Sequence, residues 1–306
     1  MAQSLERLTH RTDTMSSIRS IVRTMKTMSA INALPYEQAA QAMEAYRNTT
    51  LLGFRAFVKS NGPLPIQGNT KGPATVIAFG SDHGLCGNYN EGIAAQVDRA
   101  ATAHDTKIIC VGAQMEDAMI GLGRAPQTTL LPPATAEGLG RLAGKLIGFL
   151  DRLWVAHGAG PVSLVFVQRA DHGQQHAVTQ HLLPLDSGLI AQIEDAPWTS
   201  HSLPQFSLPP DQLLAALIRS YLFTEIYRAA AEAMVTENAA RLARMQQAER
   251  SVDEQLEELN AQMRSVRQSE ITTELLDVII GFEALKGRDK RKAEDALLKR
   301  QAGGMS

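Results

Sequence analysis

From Asp211 to Ile280 the chain reads DQLLAALIRSYLFTEIYRAAAEAMVTENAARLARMQQAERSVDEQLEELNAQMRSVRQSEITTELLDVII, 70 residues without a proline or a glycine. The strong helix formers Ala, Leu, Glu, Gln, Arg and Met dominate it. Pro209 and Pro210 stop what precedes, Asp211 is a good N-cap, and Gly281 is the first expected break. A single helix of that length would run about 105 Å at ~1.5 Å per residue. A compact globule of 306 residues is only about 50 Å across. The segment therefore cannot be an ordinary core helix, and it needs a partner to cover its apolar stripe.

That stripe is visible. Val252, Leu256, Leu259, Met263 and Val266 repeat at 4, 3, 4 and 3 residues, with Leu242, Met245 and Ala248 leading in. Past Val266 the phase slips, and Ile271, Leu275, Val278 and Phe282 start a new stripe, so the partner should change near residue 267. The other long segment of this kind is residues 1–34, where Leu5, Leu8, Thr12, Met15, Ile18, Val22, Met25 and Met28 recur at 3- and 4-residue spacing. It is basic, with Arg7, Arg11, Arg19, Arg23 and Lys26, whereas residues 249–258 are acidic. The two are expected to pair, Arg7 and Arg11 facing Glu254, Glu257 and Glu258. Helix continues from Tyr36 to about Val58, and Pro35 should kink or divide it.

Between these helices the pattern changes. Thr75–Phe79, Lys107–Val111 and Val162–Val167 are short apolar runs bounded by glycine or proline, with helical stretches at about 90–103 and 136–153. Strand and helix in alternation predict an α/β domain with a mostly parallel sheet over 72–195. The expected fold is thus α/β: a long antiparallel coiled coil of N- and C-terminal helices with an inserted Rossmann-like domain. Its parts are 1–60, 72–195, 211–285 and a tail, 286–306.

Composition narrows the function. Thirty Lys and Arg against 32 Asp and Glu leave no basic excess, which excludes a dedicated nucleic-acid binder. Two cysteines, Cys86 and Cys110, make no disulfide framework and fit a reducing compartment. No signal core opens the chain and no run approaches a membrane span, so a cytosolic protein able to dock on a membrane machine is expected. The glycine-rich loop Gly80-Ser-Asp-His-Gly84-Leu-Cys86-Gly87 has neither dinucleotide nor P-loop spacing. A tight turn with glycines at positive φ accounts for it better than a phosphate cradle. Asp82, His83 and Cys86 form no metal set, and a buried cysteine is expected there. His172, His176 and His181 read as surface or loop histidines. No nucleophile elbow or catalytic dyad occurs, and no cofactor, metal or catalytic residue is assigned. The cations from Lys286 to Lys292 read as a soluble helix end.

Three stretches, the third being the C-terminal helix at two places, resemble the gamma subunit family of F-type ATP synthases. Ile21-Val-Arg-Thr-Met25-Lys-Thr-Met-Ser-Ala30 is similar to I-T-K-A-M-K-M-V-S-A, and Ser81–Asn90 to S-D-[RK]-G-L-C-G-x-x-N. Glu237–Leu242 and Arg267–Leu285 resemble S-E-x-A-A-R-M and R-Q-x-x-I-T-x-E-[IL]-x-E-I-V-x-G-A-x-A-L. Order and spacing agree over residues 3–285. Three departures mark a divergent bacterial member, of the kind an alternative, sodium-coupled ATPase would carry. Ile31-Asn-Ala-Leu-Pro35 replaces a basic run, His83 replaces a cation, and about twenty residues follow Leu285.

The resemblance implies a noncatalytic rotor shaft. Its coil would sit within a ring of alpha and beta subunits, and its α/β domain would rest with epsilon on the membrane c-ring, delta belonging to the same complex. That places it on the cytoplasmic face of a bacterial inner membrane. By family position Arg267, Gln268, Thr272 and Glu274 should touch beta, Arg241 with Met25 should form a lower contact, and Asp82, Gly84, Cys86, Gly87 and Asn90 should build a structural loop. The reading of the residues without the resemblance is a coiled-coil adaptor with a ligand-binding α/β domain. A nucleotide-dependent enzyme whose helices only dimerise it comes third.

Overall fold

The computed structural model describes residues 2–64, 72–101, 105–170, 174–198, 201–202 and 204–302, the side chains of 2–4, 284 and 289–302 excepted. His172 lies outside them. The elements are α1 (Ala2–Asn61), β1 (Thr75–Phe79), α2 (Tyr89–Ala100), β2 (Lys107–Val111), α3 (Ala113–Gly121), β3 (Thr128–Leu130), α4 (Leu139–His157), β4 (Val162–Arg169), β5 (Gln175–Leu183), α5 (Ser187–Asp195) and α6 (Pro210–Ala302). Two expected breaks do not occur. α1 continues through Pro35, and α6 passes Gly281 and Gly287. Proline removes one helical hydrogen bond, but its neighbour Tyr36 is 3% exposed and donates to the Pro133 carbonyl at 2.9 Å, which anchors that turn. α6 opens one residue earlier than expected, with Pro210 in the first turn, where a missing N–H costs nothing.

Contacts divide the chain into Met1–Arg23 with Gln247–Ser306, and Thr24–Gln246. The first unit is a two-helix coil. Arg23 pairs with Glu249 at 2.8 Å and Arg19 with Asp253 at 2.6 Å, and Thr12 reaches the Met263 sulfur. As numbers fall along α1 they rise along α6, so the helices are antiparallel. The covered positions include Leu5, Leu8, Thr12, Met15, Arg19 and Val22 on α1, and Val252, Leu256, Leu259, Met263, Val266, Glu270 and Thr273 on α6. Three expectations change here. Arg19 takes the seam place expected of Ile18, which is 38% exposed. The register carries Arg7 and Arg11 past the acidic run, so Arg19 and Arg23 meet it instead. And the seam keeps its phase to Thr273, leaving Ile271, Leu275, Val278 and Phe282 outside it. The slip is therefore a second stripe on an uncovered face.

In the second unit the sheet order is β3-β2-β1-β4-β5, with β5 antiparallel to β4 and the other pairs parallel. The short β3 and the polar β5 were not legible as apolar runs. One face of the sheet packs on α4 and on the 222–235 stretch of α6, and the other on α2 and α3. Phe54, Phe57, Leu214 and Tyr221 form a third cluster with α5. The inner parts of both long helices are thus core elements of the α/β unit.

Gly112 shows how closely this core is built. Its φ is +107°, and an added Cβ would lie 2.4 Å from the Ser81 carbonyl oxygen. Gly112→Ala should cost about 1–3 kcal/mol, read as a lower urea midpoint. Gly84→Ala, in open space, should leave the midpoint in place.

Candidate functional site

In open α/β sheets, ligands bind beyond the carboxyl ends of the strands, where the strand order reverses. Here the reversal lies between β1 and β4. The chain's own helix occupies that crevice. Thr236 on α6 donates to the Val167 carbonyl at 3.2 Å, and Tyr89 donates to the Ala233 carbonyl at 3.0 Å and lies 3.0 Å from Thr236 Oγ1. Arg169 at the end of β4 binds Glu232 and Glu37.

The loop after β1 is fixed to the same helix. The Ser81 amide donates to Asn90 Oδ1 at 2.9 Å, and Asn90 Nδ2 returns a bond to Ser81 Oγ at 2.8 Å. Asp82 accepts from the Ala113 amide. Cys86 is 5% exposed and receives a bond from Arg241 Nη2 at 3.2 Å. Gly87 has φ +68°, and a Cβ there would stand 2.3 Å from Arg244 Nε. Gly84 faces open space, and Leu85 has φ +69° with its side chain exposed. The structural-loop residues Asp82, Cys86, Gly87 and Asn90 are thus brought together, with the Ser81 amide directed at Asn90.

Arg241 also binds Glu237 one turn earlier, and both are mostly covered. Burial pushes the Glu237 carboxyl up, against the pull of Arg241. Burial works against the Arg241 charge, but Glu237 and Cys86 outweigh it and hold its pKa above the ordinary guanidinium value. Burial also raises the Cys86 thiol, against the pull of Arg241. Arg241 therefore points into the α/β unit. Met25 sits half-buried on α1, its carbonyl accepting from Ser29. Arg169, Tyr89, Glu232 and Thr236 were not singled out from sequence. The i, i+4 spacing of Glu237 and Arg241 was the one local signal for this junction.

In the coil unit, Arg267, Gln268, Thr272 and Glu274 are exposed, and Thr272 donates to the Gln268 carbonyl of its own helix. Among and beyond them Ile271, Leu275, Leu276, Val278, Ile279, Ile280, Phe282 and Leu285 are all 50–70% exposed. The antiparallel register explains this, since α1 has run out opposite this stretch.

The family model described as ATP synthase matches residues 4–285. The ATP synthase gamma chain of Nitratidesulfovibrio vulgaris Hildenborough is 27% identical over 291 residues, covering 89% of this chain and 97% of that one. The gamma chain of Bacteroides fragilis (strain ATCC 25285) is 27% identical, covering 92% and 99%. Among solved structures, the rotor of the Euglena gracilis mitochondrial ATP synthase aligns with a TM-score of 0.61 at 15% identity, covering 89% of this chain and 100% of that one.

Proposed function

We infer the function from one premise: the chain belongs to the ATP synthase family, and within it to the gamma subunits. It is the central rotor shaft, a noncatalytic part that couples ion flow in the membrane sector to ATP synthesis or hydrolysis on beta. One observation of the structure supports this above the rest. Eight large apolar side chains between Ile271 and Leu285 stand exposed on a helix that continues past its partner. An isolated soluble protein rarely exposes such a run, and an enclosing apolar sleeve accounts for it. We place that sleeve in the ring of alpha and beta subunits, and the α/β unit beside epsilon on the c-ring. No helix among the described residues is long and apolar enough to cross a membrane. The subunit would therefore be peripheral, at the cytoplasmic face of a bacterial inner membrane.

Mechanically the coil needs stiffness, and the α/β unit needs a firm hold on its own part of α6. The seam supplies the first, at about 1.5–3 kcal/mol per buried large side chain. The Glu237–Arg241–Cys86 junction supplies the second. The surface ion pairs at Arg19 and Arg23 are worth only ~0–1 kcal/mol each and tune register. The crevice filled by α6 argues against the ligand-binding adaptor.

Co-purification with alpha, beta and epsilon tests this reading; a chain that binds a mononucleotide and recruits none of them would sink it. We propose that Arg267, Gln268, Thr272 and Glu274 touch beta. Because these side chains are exposed, Arg267→Ala with Gln268→Ala should weaken coupling and leave the melting temperature unchanged. Undiminished ATP-driven ion pumping would remove both from the contact. We propose Met25 as the outward part of the lower contact, with Arg241 supporting it from inside.

A further inference from the structure

A pocket of about 490 Å³ lies at the end of the sheet opposite the crevice that α6 closes. Gly160 on its wall precedes β4, and Leu183, which ends β5, pairs with Val162 at the start of β4. The pocket sits there between the later turns of α4 and the first turns of α6, wholly within the α/β unit. Ile147, Leu183, Ile218 and Leu222 give it an aliphatic wall, and the small side chains of Ala215 and Ala216 leave the space. Among the described residues the only charges on that wall are Asp151 and Arg219, which neutralise each other at 2.6 Å. Half-buried Trp154 forms one side. Its Nε1 is buried with no acceptor among the described residues, whereas Trp198 Nε1 donates to the Ser202 carbonyl at 2.9 Å. A buried indole N–H ordinarily finds a partner. A small turn of the indole would present this one to the pocket.

We propose that the pocket binds an uncharged, apolar organic molecule carrying a carbonyl oxygen, with Trp154 as the hydrogen-bond donor. The volume falls in the range of small-molecule sites, roughly 300–1,000 Å³. The aliphatic wall selects an apolar body. The closed Asp151–Arg219 pair selects against net charge, because a charged group there would have to draw one of the two from its partner. The orphaned indole selects an acceptor, since a buried donor left unpaired is costly. An aliphatic side chain from another subunit would fill the space and leave the indole unpaired. The site needs only the α/β unit and is independent of the rotor role.

Benzophenone is the probe, and diphenylmethane, with the same two rings and no carbonyl, is its control. Equilibrium dialysis against the whole chain should give benzophenone a Kd of about 100 μM or tighter, about tenfold tighter than diphenylmethane. The indole N–H resonance of Trp154, the one that persists in Trp198→Phe, should move downfield with the ketone. Trp154→Phe should keep the diphenylmethane affinity and lose the preference for the ketone. Ala216→Phe, at an exposed position on the wall, should abolish binding of both probes without lowering the melting temperature. Equal affinity for the two probes, binding of neither, or binding that survives Ala216→Phe overturns the proposal. So does benzophenone that binds the free chain and is excluded from its assembly with alpha, beta and epsilon, because another subunit then fills the pocket.

Discussion

Leu259→Asp is expected to abolish ATP-driven ion pumping while leaving the α/β unit folded. Leu259 is 5% exposed at the middle of the α6 seam, with Leu256 and Met263 on either side of it. The substitution removes a large apolar side chain and places an unpaired carboxylate among apolar neighbours, costing about 3–5 kcal/mol. The coil has little to offset this, because few of its side chains are fully covered. Arg19 and Asp253 cannot compensate, since the pair is partly exposed and worth at most ~1 kcal/mol. Residues 2–23 should lose hydrogen-exchange protection while β1, β2 and β4 keep theirs. ATP hydrolysis by the complex should persist, uncoupled. Leu259→Met, close in volume, should cost less than about 1.5 kcal/mol and keep pumping. Full pumping in the aspartate variant would show that the coil carries no torque.

The second large effect is at the junction. Arg241→Met leaves the Glu237 carboxylate buried without its cation, and breaking such a pair costs about 3–5 kcal/mol. The loss should depend on pH in a defined direction. The folded-state pKa of Glu237 already stands above its unfolded value because burial opposes the charge. A group raised in this way gives a stability contribution that is full below the unfolded carboxylate pKa and is lost as pH rises through the folded one. Removing Arg241 raises the folded pKa further and deepens that loss. Chemical denaturation should thus show the variant close to the parent in acid and well below it at neutral pH. Glu237→Gln in the same background should recover much of the neutral-pH stability, because no charge then remains to be buried. A deficit independent of pH would mean that lost packing against Cys86, and not the orphaned carboxylate, is the cause.

Much of this was legible in the chain. The proline- and glycine-free run to Ile280 shows that a long helix must find a partner, and the 4-3 spacing through Leu259 locates the seam. What the sequence hid has physical reasons. Pro35 reads as a break, yet the buried Tyr36 beside it outweighs one lost hydrogen bond. Ile18 and Arg19 are adjacent, and only the antiparallel register decides that the arginine faces the seam to meet Asp253. β5 carries too few apolar residues to stand out, because one of its edges and part of its faces are exposed. The loop from Ser81 to Asn90 reads as a turn with glycines at positive φ, but of Gly80, Gly84 and Gly87 it is Gly87 alone that takes that conformation, and Leu85 shares it. Beside it stands Arg241, 155 residues away in the chain from Cys86; its i, i+4 spacing from Glu237 signals an ion pair but not the loop that the pair meets.

The central claim is that this chain turns inside a ring of other subunits. It is tested most directly by attaching a visible marker to an exposed residue of the α/β unit, assembling the chain with immobilised alpha and beta subunits, and supplying ATP. The marker should rotate in one direction, stop when ATP is withdrawn, and lose its drive in the Leu259→Asp variant. A stable assembly that hydrolyses ATP while the marker stays fixed would contradict the account.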